Sequence, residues 1–192
     1  MRVRTVMGVI VVASAFCASP VAGQQMGAPE SFDATLQVTG AQGGAGAASI
    51  TIEVTSYTPD AERVAVETAL KTGGYQAFLS SLKDAPAVGA VRFRDRSWTI
   101  RWARQVKTGP WRRTLTLVTD SPIYFVGGGL ADAKPRTGYD VALLRLEIDD
   151  VGIGWGTMAG AARVRAGQDA GVDVDDYNDT PIKLTNVRRR AK

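Results

Sequence analysis

Residues 49–57 read Ser-Ile-Thr-Ile-Glu-Val-Thr-Ser-Tyr, and no other stretch of the chain predicts its own structure as clearly. Its apolar side chains, Ile50, Ile52 and Val54, alternate with polar ones, so all three lie on one face of an extended strand. A period of two residues is typical of a strand with one face buried and the other in water. The rest of the chain therefore has to supply further strands and a core against which this face can pack.

Short extended stretches recur before and after this strand. One precedes it at residues 32–39, and residues 40–48, which are rich in glycine and alanine, connect the two. More candidate strands follow residue 89, at residues 91–94, 98–106, 112–119, 123–126, 141–148, 153–164, 172–177 and 182–187. Short strands in close succession favour an antiparallel meander, in which neighbours in the chain are also neighbours in the sheet.

The hydrophobic period changes to that of a helix between residues 59 and 84. Thr58 is suited to the N-cap and Pro59 to the first helical position, and Asp60 places a favourable negative charge in the first turn. The glycine pair at residues 73–74 is typical of a helix end. The second part of the segment places three apolar residues on one helical face: Phe78, Leu79 and Leu82. The pattern predicts a helical hairpin inserted between strands.

These elements predict a mainly β domain of residues 32–187, built as an antiparallel barrel or a strongly curved sheet. Unpaired edges of an open sheet favour aggregation, so the sheet has to close or be covered, and the helical hairpin would cover one end or one face. A two-sheet β-sandwich is the alternative. We expect a flexible lead-in at residues 24–31 and a basic tail at residues 188–192.

The N-terminal residues have the pattern of a secretory signal peptide. Arg2 and Arg4 precede an apolar stretch at residues 6–16, which is too short to span a bilayer, and a run of small residues ends at Gly23. We expect cleavage after Gly23, so that residues 1–23 are removed. No later segment is apolar enough to anchor the mature chain as a transmembrane helix. The expected location is the periplasm or the outside of the cell.

Residue types that the chain lacks restrict its chemistry. The sequence contains no histidine, and its one cysteine, Cys17, lies in the predicted signal peptide. Catalytic Ser-His-Asp and Cys-His sites, zinc sites built from histidine or cysteine, and disulfides are therefore excluded from the mature chain. Because no motif of paired carboxylates or of a reactive lysine stands out, the sequence favours a protein that is not an enzyme. An enzyme that uses carboxylates, lysine or tyrosine stays open as an alternative.

Residues 92–113 combine eight basic residues with one acid, Asp95, and with four aromatic side chains. The aromatic residues are Phe93, Trp98, Trp102 and Trp111. Arginines that contact phosphates beside stacking aromatic rings are typical of nucleic-acid binding. We expect no nucleic-acid partner for an exported protein, so an anionic surface of the cell envelope is the partner that this pattern favours.

The same segment also fits an ordinary strand with one buried face. Alternation places Trp98, Ile100 and Trp102 together on one face of that strand, and Arg101 on the opposite, solvated face. In this interpretation the tryptophans belong to the core and bind nothing.

Glycine and acidic clusters further along the chain predict neither a cofactor nor a metal. Gly152, Gly154 and Gly156 resemble part of a dinucleotide-binding fingerprint but lack its strand-to-helix context, so we expect them to allow close backbone approach or barrel curvature. The acids between residues 169 and 179 do not have the spacing of a calcium-binding loop.

Arginines and aromatic residues near the predicted strand ends indicate a binding function. Five residues are candidates for ligand contacts: Arg101, Trp111, Arg113, Tyr124 and Tyr139. A curved sheet with aromatic rings at its mouth can hold a small molecule, and the arginines would orient an anionic group. We expect a non-catalytic binding module for a small amphipathic or anionic ligand. The alternative is a structural or interaction protein of the cell envelope that has no small ligand.

Several motifs in the second half of the chain are shared with a known family. They include residues 115–120 (LTLVTD), 121–125 (SPIYF), 144–148 (LRLEI) and 181–188 (PIKLTNVR). On these motifs residues 113–188 resemble an uncharacterised family of secreted, β-rich bacterial proteins of unknown function. The resemblance implies export and a single domain, and it carries no activity. The chain departs from the family pattern in the loop at residues 127–140, where glycines replace more polar residues.

Overall fold

The computed structural model describes residues 29–39, 45–124, 136–167, 171–177 and 181–191. The predicted signal peptide, most of the lead-in and the last residue of the predicted tail lie outside the described residues. In the described part, nine strands and one helix follow one another as β1 (Glu30–Thr39), β2 (Ala45–Val54), α1 (Asp60–Asp84), β3 (Gly89–Phe93), β4 (Arg96–Gly109), β5 (Arg112–Thr119), β6 (Val141–Asp149), β7 (Ile153–Ala166), β8 (Val172–Tyr177) and β9 (Ile182–Arg189).

Eight of these strands form a closed antiparallel barrel. The order around the barrel is β6-β5-β4-β3-β2-β1-β9-β7, and β7 pairs back onto β6 to complete the ring. The remaining strand, β8, pairs with the far half of β7 and extends the sheet beyond the ring. The barrel prediction is therefore confirmed, and the sandwich alternative does not apply.

The barrel interior is filled by side chains from alternate positions of its strands. Ile50, Ile52 and Val54 of β2 are buried, as their period of two predicted. The inward faces of other strands contribute further fully buried residues: Phe32, Leu36, Leu115, Leu117, Leu144 and Leu146. The interior of an eight-stranded barrel is either filled by side chains or holds one small ligand. Here buried side chains fill it, so this core leaves the strand ends and the outer face as places for a ligand.

A second core lies outside the barrel, beneath α1. Five apolar side chains of the helix are buried there: Val66, Leu70, Phe78, Leu79 and Leu82. They pack with Trp102, Val118, Val141, Leu143, Val164 and Val172, which come from five strands. The predicted insertion is thus helical and covers one face. α1 is interrupted at Gly74, whose φ of 71° and ψ of −166° are not helical but are open to glycine, so α1 consists of two helical segments that meet at the predicted glycine pair.

A β-bulge in β4 corrects the predicted faces of that strand. Ile100 pairs with Thr119 and Trp102 pairs with Val118, so Arg101 is an extra residue without a counterpart on β5. An extra residue reverses the faces of all residues beyond it. Trp98 and Ile100 therefore pack with the barrel interior, whereas Trp102 lies in the second core beneath α1. The prediction that these three side chains share one face was wrong.

Three predicted boundaries also differ from the structure. Ile123 and Tyr124 do not belong to a strand, and the other two residues of the strand predicted at 123–126 lie outside the described residues. β2 begins at Ala45, inside the predicted glycine-rich connection. Arg188 and Arg189 are part of β9 rather than of a tail.

The glycines of β7 lie where the backbones of neighbouring strands come very close. A Cβ atom on Gly154 would collide with the carbonyl oxygen of Glu147, and one on Gly156 with the carbonyl oxygen of Arg145. The register with β9 also shifts between these two glycines. The predicted role of the glycines in close backbone approach is confirmed.

We predict that Gly154→Ala destabilises the barrel, because the new methyl group requires β6 and β7 to move apart. Overpacking of this kind costs about 1–3 kcal/mol. Gly109→Ala is the matched control, since its nearest neighbour would be the Arg112 side chain at 3.9 Å. Urea unfolding followed by circular dichroism measures both. Equal midpoints for the two variants would contradict the close approach of β6 and β7.

Candidate functional site

Two turns and two strand ends meet at one end of the barrel. The β4–β5 turn carries Trp111, and the β6–β7 turn follows Asp149. The two turns adjoin, because Arg112 pairs in register with Asp149. β1 begins here at Glu30, and β9 ends here. We call this the Trp111 end; the β3–β4 turn lies at the opposite end.

A buried polar network forms the floor of the Trp111 end. Arg113 Nη2 donates a hydrogen bond of 2.7 Å to Glu30 Oε1, and its Nη1 donates one of 2.8 Å to Gln105 Oε1. The Tyr57 hydroxyl donates to Glu30 Oε2 at 2.9 Å. Only 3% of the Glu30 side chain and 13% of the Arg113 side chain are exposed. A buried ion pair is tolerated when further hydrogen bonds complete it, as Tyr57 and Gln105 do here.

Burial and charge fix the protonation of this network. Burial raises the pKa of the Tyr57 hydroxyl far above its usual range, and the Glu30 carboxylate raises it further. Burial is the largest single influence on the pKa of Arg113 and acts to lower it, but the hydrogen bonds and charge interactions with Glu30 and Tyr57 together outweigh it, so the net shift of that pKa is upward. Tyr57 therefore stays a neutral donor and Arg113 stays charged at every physiological pH.

A pocket of about 440 Å³ opens above this floor. Four basic residues and three acids contribute to its lining: Lys107, Arg112, Arg113, Arg189, Glu30, Asp149 and Asp150. Arg113 is held by the network, and Arg189 Nη1 lies 3.6 Å from Glu30 Oε1. Lys107 and Arg112 are exposed, so their charges face the solvent at the rim. A basic rim around a fixed floor is suited to an anionic group, which guanidinium groups bind through paired hydrogen bonds.

Apolar side chains are exposed beside the pocket. Trp111 lies between two lining residues, Pro110 and Arg112, and its side chain is among the most exposed large apolar groups that the structure describes. The Arg112 guanidinium lies 4.7 Å from the centre of the Trp155 ring, which is also exposed. The Trp111 end thus presents basic and aromatic groups side by side.

The five residues predicted to bind a ligand do not form one site. Trp111 and Arg113 come together at the Trp111 end, with Arg113 in the buried network. Arg101 precedes the end of β4 by eight residues, which is about 26 Å along an extended strand. It forms an ion pair with Asp120 at 3.0 Å and donates to the carbonyl oxygen of Ala85 at 2.7 Å.

The two tyrosines of the prediction lie on the far side as well. Tyr124 follows the end of β5, and Tyr139 precedes the start of β6. The Tyr139 hydroxyl donates to Asp176 of β8, and the guanidinium groups of Arg136 and Arg163 lie near its ring. These contacts tie β8 to the barrel and place Tyr139 away from the pocket.

Sequence reasoning missed most of the pocket. Glu30 fell in the predicted flexible lead-in and Arg189 in the predicted tail, although both belong to strands. Lys107 and Arg112 lie in the basic segment at residues 92–113, but the sequence pattern predicted no ligand contact for either. One signal was present: Arg113 precedes Leu115 and Leu117 at a period of two, which places its side chain on the inward face.

The fold and the pocket define the class of this protein as a closed eight-stranded antiparallel barrel with an external helix and a basic, aromatic barrel end. Comparisons with protein-family models, with curated proteins and with solved structures each gave no match. Within the described residues, no helix combines the length and the apolar character needed to cross a bilayer.

We predict that Glu30→Gln destabilises the protein strongly, because it leaves the Arg113 guanidinium buried without its carboxylate. Breaking a buried ion pair from one side costs about 3–5 kcal/mol. The control is Glu53→Gln, which makes the same change in the exposed pair between Glu53 and Arg92. Exposed pairs contribute little, so this control should unfold like the wild type in urea. A Glu30→Gln variant as stable as the control would show that the network is not essential.

We also predict that stability falls at high pH through Tyr57. In the unfolded chain this hydroxyl ionises near pH 10, as tyrosine ordinarily does, whereas folding raises its pKa. Above about pH 10 the unfolded chain therefore binds fewer protons, and the contribution of Tyr57 to stability is lost as the pH rises towards the folded pKa. Burial raises the pKa of Tyr75 as well, so it acts in the same direction.

Urea unfolding between pH 8 and pH 11.5 (about the range in which tyrosine titrates) tests this. The wild type should lose more stability over this range than Tyr57→Phe, and the double variant Tyr57→Phe/Tyr75→Phe should lose least. Parallel curves for all three proteins would contradict the assignment.

Proposed function

We propose that this protein is an exported, non-catalytic binding module that takes a small anionic amphipathic molecule at the Trp111 end. The observation that carries the proposal is the pocket of about 440 Å³, in which exposed cations adjoin the exposed ring of Trp111 above a buried polar floor. The volume falls within the range of small-molecule sites. The signal-peptide pattern and the resemblance of residues 113–188 to secreted proteins support export.

The anionic group of the ligand would bind at the rim. Lys107 and Arg112 are exposed and point their charges at solvent, whereas the nitrogens of Arg113 already donate to Glu30, Gln105 and Tyr57. Arg113 therefore shapes the floor, and Lys107 and Arg112 supply the attraction. Since the floor is ordered before the ligand arrives, little ordering cost opposes binding.

Two carboxylates at the pocket moderate the positive charge. Asp149 accepts a hydrogen bond of 2.8 Å from the backbone N–H of Ile153, so one of its oxygens is used within its own turn. Asp150 lies in the same turn, and Arg189 Nη2 donates to its carbonyl oxygen at 3.4 Å. The balance leaves one more cation than acid among the lining residues, which favours a ligand with a single anionic group.

The apolar part of the ligand would lie across the barrel end. Since buried side chains fill the interior, the apolar tail of a ligand cannot enter along the barrel axis, as it can in barrels with an open interior. Trp111 and Pro110 offer the nearest apolar surface. Tryptophan combines a large apolar ring with one N–H donor, which suits the junction between a polar head and an apolar tail.

The alternative is a cell-envelope interaction protein without a small ligand. The exposure of apolar side chains outside the pocket lining favours it, because such a surface needs a larger partner. The two functions differ in whether a free small molecule in solution binds at all.

Calorimetric titration with octyl phosphate and octyl glucoside, each below its micelle concentration, tests the proposal. The two probes share a tail and differ in head group. We expect octyl phosphate to bind the wild type and octyl glucoside to bind about tenfold more weakly or not at all, because only the phosphate forms charge-assisted hydrogen bonds at the rim.

The double variant Lys107→Ser/Arg112→Ser should lose about tenfold or more of the affinity for octyl phosphate. The matched control is Lys83→Ser/Arg96→Ser, which removes the same two charges from exposed positions outside the pocket lining. An equal loss in both variants would indicate a net-charge effect. Absence of octyl phosphate binding to the wild type would reject this ligand class.

A further inference from the structure

Four large apolar side chains are exposed on neighbouring parts of the Trp111 end. Trp111 and Val151, on the two turns, are 73% and 72% exposed, and Ile153 and Trp155, at the start of β7, are 52% and 50% exposed. The pairing of Arg112 with Asp149 and the stacking of Arg112 on Trp155 join them into one surface. We call these four residues the turn patch.

The turn patch does not belong to either core. The chain has four tryptophans; Trp102 is fully buried and Trp98 packs against the barrel interior, whereas both remaining ones lie in the patch. Contiguous apolar surface that is rimmed by polar groups marks interaction sites rather than folding cores. The Val151 and Trp111 side chains sit at turns, where polar residues would satisfy the backbone equally well.

Basic residues surround the patch. Arg188 pairs in register with Ile153, and Arg112 stacks on Trp155. Lys107 and Arg189 line the adjoining pocket. The exposed or half-buried acids on this side are Asp149, Asp150 and Glu147, which pairs in register with Trp155; Asp149 uses one carboxylate oxygen to accept from the Ile153 N–H. Glu30 also lines the pocket, but it is buried and its charge is compensated by Arg113. The four cations exceed the three acids by one, so this surface keeps a net positive charge that complements an anionic partner.

We propose that the turn patch docks onto the surface of an anionic phospholipid bilayer. Tryptophan rings prefer the boundary between head groups and acyl chains, so Trp111 and Trp155 lie at that depth. Val151 and Ile153 contact the acyl edge. The long arginine and lysine side chains keep their charged ends at the lipid phosphates, each contributing to attraction by the negative surface. The two turns are short connections between paired strands of the barrel, so docking needs no folding of a disordered segment.

This inference goes beyond the proposed small-molecule function, because Val151, Ile153 and Trp155 are not among the lining residues of the pocket. A lipid surface is also larger and flatter than the pocket, and it contacts both turns at once. The two activities can therefore be removed separately.

Co-sedimentation with vesicles tests the inference, using the chain without its predicted signal peptide, residues 24–192. One set of vesicles is phosphatidylcholine alone, and the other contains about one third phosphatidylglycerol, which gives a negative surface. We expect binding to the second set with a blue shift of tryptophan fluorescence, and at least tenfold weaker binding to the first. Raising the salt from about 0.05 M to 0.5 M should weaken binding, since it screens the basic rim.

Val151→Asp should lower vesicle binding at least tenfold, while Val64→Asp should not lower it. The two variants make the same change at exposed valines, and Val64 lies on α1, 54% exposed and outside the patch. Val151→Ser is the milder second variant and should lower binding less than Val151→Asp. Thermal unfolding confirms that each variant is folded. An equal loss for Val151→Asp and Val64→Asp overturns the inference.

Two further outcomes separate this inference from the proposed function. Val151→Ser adds no charge beside Asp150 of the pocket lining and should bind octyl phosphate like the wild type, whereas Lys107→Ser/Arg112→Ser should lose the most affinity for octyl phosphate. Octyl phosphate binding without any vesicle binding overturns the bilayer inference alone. The bilayer inference is also overturned if the wild type dimerises and binds no vesicles while Val151→Asp is monomeric. In that case a second copy of the chain occupies the patch.

Discussion

Pairing of the first strand with the last one is the constraint on which the rest of the structure depends. β1 hydrogen bonds to β2 on one side and to β9 on the other, so residues near 30 and residues near 189 become neighbours. Without this pairing, β1 and β9 would be open edges, which invite aggregation. The same pairing brings Glu30 to Arg113, 83 residues away in the chain, and to Arg189. The floor of the pocket therefore forms only when the barrel closes, because its residues come from different strands.

Closure also decides which surfaces are left for function. Eight strands enclose an interior that their own side chains fill, so the axis of the barrel is unavailable to a ligand. Part of the outer face of β4, β5 and β6 is covered by α1 and by the far half of β7 with β8, which build a second core around Trp102. The Trp111 end is among the surfaces that stay accessible, and two turns leave the sheet there. The conformational cost of a binding site is low there, because the barrel holds both turns in place.

Local patterns were sufficient to predict the elements and insufficient to predict the site. The alternation of Ile50, Ile52 and Val54 and the helical period after Pro59 depend on neighbours within a few residues, and both predictions hold. The bulge at Arg101 depends on the register against β5, which no property of β4 alone specifies, so Trp102 was assigned to the wrong face. Trp111 and Arg113 were predicted because they lie near predicted strand ends, which local patterns define. Glu30 and Arg189 were not predicted as site residues, since they become neighbours in the site only when the first and last strands pair.

Arg112 and Arg113 show how one strand supplies two different kinds of charge. Adjacent residues of a strand point to opposite faces, so Arg113 enters the barrel end and Arg112 faces solvent. Inside, the Arg113 charge is costly and has to be compensated by Glu30, Gln105 and Tyr57, which makes it part of the structure. Outside, the Arg112 charge stays hydrated and stacks on Trp155, so it can exchange water for an anionic partner at small cost. A pair of identical residues thus divides into a buried, structural cation and an exposed cation that is available for the proposed binding, and the pleat of the strand decides which is which.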